Sequence, residues 1–290
     1  IIPTVGCVND VAKALVKENQ DLVTGTIDGL YTFTHPFGCS QTGADHAQTR
    51  KLLAALTRHP NAAAVLVLSL GCENLTHEQF VAELGDYDPE RVKFLTCQAV
   101  EDEYAASREL LEQCAAFAAS FSREEIPASE LVIGMKCGGS DGLSGITTLE
   151  DKSCGCVQKG GSAPIMDVIG YGDEVTVKGL NMLYGPGNDL VSSTALTAAG
   201  AHMVLFTTGR GTPFGAPAPT MKIATNTPLA TKKHGWIDFN AGVVADGTRT
   251  LDEAAADLMD LVLEVASGKQ TRTEEKGYRE ISIFKDGVML

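Results

Sequence analysis

Five apolar runs in the first half of the chain each lead into a cysteine beside a small or polar residue. They are Ile1–Val5 before Gly6-Cys7, Leu30–Phe33 running on to Gly38-Cys39-Ser40, Val65–Leu70 before Gly71-Cys72-Glu73, Val92–Thr96 before Cys97, and Leu131–Lys136 before Cys137-Gly138-Gly139. Continuous apolar runs suit parallel strands covered on both faces. Read so, all five thiols lie along one edge of one sheet, where open α/β sheets place their ligands. Helical patterns fall between the runs. Asn9 or Asp10 can cap a helix to about Gln20, and Asp45 one over His46–His59. Thr76 begins a third, and Glu101–Phe121 is a longer fourth. This alternation predicts an α/β fold with a doubly wound, mostly parallel, flavodoxin-like sheet of about five strands.

The second half reads as a further α/β region. Residues 138–162 are glycine-rich and loop-like. Beyond them, strands are expected at Ala163–Ile169, Met203–Thr207, Met221–Thr225 and Ile281–Phe284. Helices are expected at Asp189–Ala199 and Leu251–Ala266, the latter capped by Thr250. The expected division is a first domain over 1–147 and a second over 148–290, together a layered sandwich. A chain of 290 residues, 44% of them hydrophobic, supports a sizeable core. The net charge of −14 argues against a nucleic-acid partner, whose phosphates repel an acidic surface, and fits a cytoplasmic protein. No apolar run approaches the ~20 residues of a membrane span. Eight cysteines in a chain this long read as reduced thiols rather than a disulfide framework.

Four stretches carry chemistry. His35-Pro36-Phe37-Gly38-Cys39-Ser40-Gln41, followed by Asp45-His46, brings two imidazoles and a thiol together. That donor set suits iron or zinc, although the spacing is not that of a zinc finger. His35 reads equally well as a loop residue bonded to backbone, and His46 as a residue at a helix start. Glu73 follows a strand end and precedes a helix, as a ligand to a hard cation, a base, or an acid facing the helix dipole. Lys136-Cys137-Gly138-Gly139-Ser140-Asp141 combines a cation, a thiol, a carboxylate and a backbone that a ligand can approach closely. Arg210, between Gly209 and Gly211, is placed to hold a carboxylate in a fork. Asn188-Asp189 feeds a helix N-terminus, a natural anion seat, and Lys222 lies on the next strand. These groups suit a small, polyhydroxylated, anionic substrate. No Gly-x-Ser-x-Gly elbow, Cys-x-x-Cys pair or phosphate loop occurs, which disfavours a nucleotide binder.

The His35–Gln41, Leu70–Asn74 and Lys136–Asp141 stretches, the last running on to Thr147, resemble signatures of the altronate/galactarate dehydratase family, as do Phe206–Gly215, Pro186–Val191 and Trp236–Gly242. The resemblance spans nearly the whole chain, and the first of these motifs is closer to the altronate branch. It implies loss of water from a sugar acid to give a 2-keto-3-deoxy acid. Altronate would give 2-keto-3-deoxygluconate, with galactarate, or sulfolactate in a sulfo-lyase branch, as other substrates. It also implies a divalent metal, Fe2+ first and Mn2+ second, with His35, Cys39, Cys72, Glu73 and Cys137 as candidate ligands. The base for the C2 proton is sought among His35, His46 and Lys136, and the acid for the C3 hydroxyl in Glu73 or Asp141. Ser40, Gln41, Gly138, Gly139, Ser140, Asn188, Arg210, Thr212 and Lys222 are candidates for holding the substrate. Ligand and base roles stay unassigned at this level.

Two departures from the family accompany the resemblance. Its members carry a small N-terminal domain, here expected as a missing part of the same protein or a separate subunit. They also carry a segment where this sequence passes directly from Thr147 to Thr148, so a physical break is expected there. A sugar-acid-binding subunit without turnover is the alternative function, and a homo-oligomer is compatible with either.

Overall fold

The computed structural model describes residues 1–138 and 161–287. By its internal contacts the chain divides into two units. The first holds Ile1–Ile126, Gly172–Glu174 and the described residues from Ile281 onward. The second holds the described residues of Pro127–Tyr171 and Val175–Glu280.

In the first unit the order is β1 (Ile2–Pro3), α1 (Asn9–Glu18), α2 (Gly43–Arg58), β2 (Val65–Ser69), α3 (His77–Leu84), β3 (Val92–Thr96) and α4 (Glu103–Ala118). The three strands form one parallel sheet in chain order, with Val67 between Ile2 and Phe94. Val65–Leu68 is buried throughout, as a strand covered on both faces must be. Leu66, Leu68 and Leu95 pack with Val8, Ala12, Leu15 and Leu111. Thr76 and Gln79 close a reciprocal capping box at the start of α3, and Asp102 caps α4 through the N–H groups of Tyr104 and Ala105. Asp45 behaves differently from its expected capping role. The helix begins at Gly43, and the Asp45 carboxylate accepts instead from the N–H groups of Asp286 and Gly287 at 2.8 and 2.7 Å.

The second unit runs β4 (Ile133–Cys137), β5 (Ile165–Ile169), β6 (Leu180–Leu183), α5 (Asp189–Ala198), β7 (Met203–Thr208), β8 (Thr220–Ala224), α6 (Thr227–Lys232), β9 (Phe239–Asn240), α7 (Gly242–Ala245), α8 (Leu251–Ala266) and α9 (Arg272–Glu275). β4, β7, β8 and β9 form a parallel sheet in that order, and β5 pairs with β6 separately. Met203, Met221 and Ile223 pack on Val262 and Val265 of α8. Gly134 lets β4 approach α5: a Cβ there would stand 3.1 Å from that of Leu196.

The α/β class is as expected, with parallel strands and covering helices, but the single five-stranded sheet is not. The strand ending at Cys137 pairs with β7, Ile133 opposite Met203, so its thiol does not share a sheet with Cys7, Cys72 and Cys97. A short apolar run states that it will be buried and leaves its partner open. Leu30–Phe33 forms no strand; Leu30 packs against the first core, which accounts for its apolar character. Ile281–Phe284 likewise forms no strand, and its Ile281 and Ile283 are buried within the first unit. β6 was not anticipated. The expected boundary at 147/148 and the expected break there lie outside the described residues.

Candidate active site

The loops leaving the first sheet are tied backbone to backbone at its carboxyl edge. Gly6 N–H donates to Phe37 O at 2.8 Å, Leu75 N–H to Gly38 O at 3.2 Å, and Gln98 N–H to Leu70 O at 3.0 Å. Only glycine fits at position 38, where φ is 98° and a Cβ would fall 1.9 Å from the Thr4 carbonyl oxygen. Cys7, Cys39 and Cys72 emerge here as exposed free thiols, and Cys97 is half-buried. Ser40 also takes a positive φ of 63°. Its hydroxyl faces the Cys39 sulfur at 3.9 Å.

Two residues expected at the reacting centre are committed to the scaffold. His35 is buried, with Nε2 2.8 Å from Pro3 O and Nδ1 accepting from Phe37 N–H at 3.2 Å. Burial holds its imidazole below the ordinary range, against the Pro3 hydrogen bond, so the ring is neutral and both nitrogens are engaged. In this arrangement His35 is open neither as base nor as ligand. Glu73 Oε1 accepts from the Thr4 hydroxyl at 2.7 Å and Leu70 N–H at 3.0 Å, and Oε2 from Gly71 N–H at 2.6 Å. Burial pushes its carboxyl up, but the Gly71, Thr4 and Leu70 hydrogen bonds outweigh that and hold it below the usual range. An ionised carboxylate has no proton to give, so Glu73 does not serve as the acid.

His46 is the contrasting imidazole. It sits in the first turns of α2, and its Nε2 is buried with no hydrogen-bond partner among the described residues. Burial, then the Arg50 charge, lower its affinity for a proton, against a hydrogen bond to the Asn74 backbone. A neutral ring held on one side with the other nitrogen open is the form of a general base. Gln41 stands beside it. Asn74 Nδ2 donates to the Gln41 carbonyl, so Asn74 touches both residues. The Gln41 side chain is 1% exposed, and neither Oε1 nor Nε2 has a partner among the described residues. Asn74 was not singled out by sequence, although it ends the Gly71–Asn74 motif.

In the second unit Lys136 Nζ lies 3.5 Å from Asp189 Oδ1 and donates to Gly187 O at 3.3 Å. This paired ammonium does not stand free as a base. Gly138 N–H donates to Thr207 O at 2.8 Å, binding the glycine stretch to β7. Asn188 is the cap of α5, its Oδ1 accepting from Leu190 and Val191 N–H, which corrects its expected substrate contact. Arg210 is exposed on a loop pinned by Gly211 N–H to Thr208 Oγ1 at 2.9 Å and Asn226 Nδ2 to Gly209 O at 3.0 Å. Thr212 lies half-buried on the same loop. Lys222 is not at an open rim. It is fully buried, its Nζ 3.9 and 3.7 Å from the centres of the Phe206 and Phe214 rings. Burial lowers its pKa to about 7, with Asp189 and Asp238 acting the other way. Gly139, Ser140 and Asp141 lie outside the described residues.

The expected metal ligands do not form a set. Among the described residues no three His, Cys, Asp or Glu side chains converge as a metal site. His35 and Glu73 are taken up by backbone and hydroxyl groups, and Cys137 belongs to the other unit.

Comparison with known proteins places these elements. A family model for the C-terminal part of D-galactarate/altronate dehydratases matches residues 144–289. Another, for the second domain of D-galactarate dehydratase/altronate hydrolase, matches residues 1–119. The chain belongs to the galactarate/altronate dehydratase family. Within it, the altronate dehydratase of Escherichia coli (strain K12) is 40% identical over 373 residues, taking in 100% of this chain and 75% of that protein. The altronate dehydratase of Bacillus subtilis (strain 168) is 39% identical over the same length and shares. The galactarate dehydratase (L-threo-forming) of E. coli is 27% identical over 320 residues, 79% of this chain and 61% of that protein. An alignment of 373 positions holding 290 residues leaves about 83 (373 − 290) that this family member does not fill. No helix among the described residues is long and apolar enough to cross a membrane.

Proposed function

We propose that the chain removes water from a sugar acid of the altronate type, giving a 2-keto-3-deoxy acid. The observation that carries this reading is the 40% identity to an altronate dehydratase across the full chain, against 27% over 79% of it for the galactarate enzyme. The His46 geometry supports it chemically. A proton next to a carboxylate is weakly acidic, and its removal needs a base in its neutral form and donors facing the developing negative charge. His46 Nε2 takes the C2 proton. The C3–O bond then breaks, and the same imidazolium returns its proton to the departing hydroxyl, which leaves as water. The enol left behind becomes the 2-keto acid, and the imidazole is neutral again. One group serves both steps because Glu73 is held ionised.

Arg210 is proposed, on its own geometry, to hold the substrate carboxylate, since no ion pair engages it among the described residues and its loop is pinned. No step runs through a divalent metal, because the expected ligands do not converge. A sugar-acid binder without turnover is the second reading, favoured by the roughly 83 unfilled alignment positions. Incubation with altronate or galactarate, with and without Fe2+ or Mn2+, followed by assay for a 2-keto acid, separates the two. Product from altronate is the expected result. Binding without product assigns the second reading.

A further inference from the structure

We propose that the Gln41 carboxamide reads a pair of neighbouring hydroxyls on the carbon chain of the substrate, beside the open Nε2 of His46. The inference rests on the sugar-acid reading above and names what part of such a molecule this edge of the sheet recognises.

Gln41 is 1% exposed, yet neither end of its amide finds a partner among the described residues. A buried polar atom left unsatisfied costs about 1–3 kcal/mol, and folded proteins retain few of them. Here the carboxamide Oε1, the carboxamide Nε2 and the His46 ring Nε2 fall on two residues joined through Asn74. The backbone of Gln41 is fixed by that Asn74 bond, and the preceding residue, Ser40, is held at a φ of 63°. Holding a non-glycine residue there costs on the order of 1 kcal/mol or more and is tolerated where geometry matters.

The chemistry of the two open ends selects the ligand. A carboxylate has only acceptors and would satisfy Nε2 while leaving Oε1 unpaired. A neighbouring pair of hydroxyls offers both a donor and an acceptor, and meets both ends at once. Gln41 is therefore assigned to the polyol part of the sugar acid and not to its carboxylate. The glycines at 38 and 43, with φ of 98° and 59°, bound the covering stretch, and Cys39, Thr42 and Ala44 are exposed along it. The amide thus lies one residue beneath the surface.

The arrangement gives a readout that a structural glutamine would not. Replacing an unpaired buried amide by an apolar side chain of similar size removes a cost, so Gln41→Leu is expected to melt at the wild-type temperature or above it. The same variant should lose recognition of hydroxyls. Binding of altronate and of its 4-deoxy and 5-deoxy analogues is measured by calorimetry in the wild type and in Gln41→Leu. A hexitol is included, and protection of Cys39 from iodoacetamide reports local occupancy. In the wild type, loss of one read hydroxyl should weaken binding by 10²-fold or more, because the amide is left unpaired again. In Gln41→Leu, altronate and that analogue should bind within about threefold of each other, and protection of Cys39 should fall. Wild-type discrimination that persists unchanged in Gln41→Leu overturns the proposal. So does a Gln41→Leu variant that melts several degrees lower, since that shows a partnered, structural amide. Protection of Cys39 by the hexitol but not by sugar acids would uphold the hydroxyl reading and reject the sugar-acid function.

Discussion

The carboxyl edges of the two parallel sheets both hide a polar group without a hydrogen-bond partner among the described residues, and the groups differ in kind. On the first sheet they are neutral: the carboxamide of Gln41 and the imidazole of His46. On the second it is the amine of Lys222, enclosed by two phenyl rings with Asp189 and Asp238 nearby. A neutral donor–acceptor pair beneath a thin loop can be satisfied by an incoming hydroxylated molecule. An ammonium facing aromatic rings and carboxylates is already compensated in part by the rings. The first edge therefore reads as a place kept for a ligand, and the second as an expensive element of the scaffold. Orphaned groups are informative only together with their charge and their cover.

The largest expected effect sharpens the first side. His46→Gln should lower kcat by about 10²–10⁴-fold, the usual worth of a positioned acid or base, while melting normally. Because burial depresses the His46 pKa, wild-type kcat/KM should hold across neutral pH and fall only below the ordinary imidazole range. A fall beginning above that range would break the comparison. The second side is tested by Lys222→Met. With a folded pKa of about 7 against 10.5, the unfolded chain binds the proton that the folded chain has lost between those values. Stability from this group therefore rises with pH across that window and is lowest below it. The wild type should gain on the order of 5 kcal/mol relative to Lys222→Met between its two ends, read by denaturant unfolding, from the 3.5-unit difference (10.5 − 7). A difference that does not change with pH would show the amine to be charged throughout. The smallest effect concerns Arg210→Ala. Losing one charge-assisted contact should raise KM for the sugar acid about 10–10²-fold with kcat little changed.

Much of the first edge was legible in the sequence, because one motif carries Cys39, Ser40, Gln41 and, five residues on, His46. What sequence could not do was rank its two histidines. The difference is made by Pro3, whose carbonyl engages His35 across 32 positions. Glu73 is likewise decided by the Thr4 hydroxyl, 69 positions away. The helices with strong caps, α3, α5 and α8, lie where their Thr76, Asn188 and Thr250 place them. The partner of β4 was not legible, since apolar parallel strands carry no label for their neighbours. Lys222 looked like a surface anchor because its cover comes from two phenylalanines, on β7 and on the Arg210 loop, that pattern alone does not bring together.

The most direct test follows the ring nitrogens of the six histidines by NMR at neutral pH as altronate is added. His46 should start as a neutral ring and its Nε2 signal should move with saturation, while the His35 signals stay fixed. A His46 ring that does not respond, with His35 shifting in its place, would contradict the account.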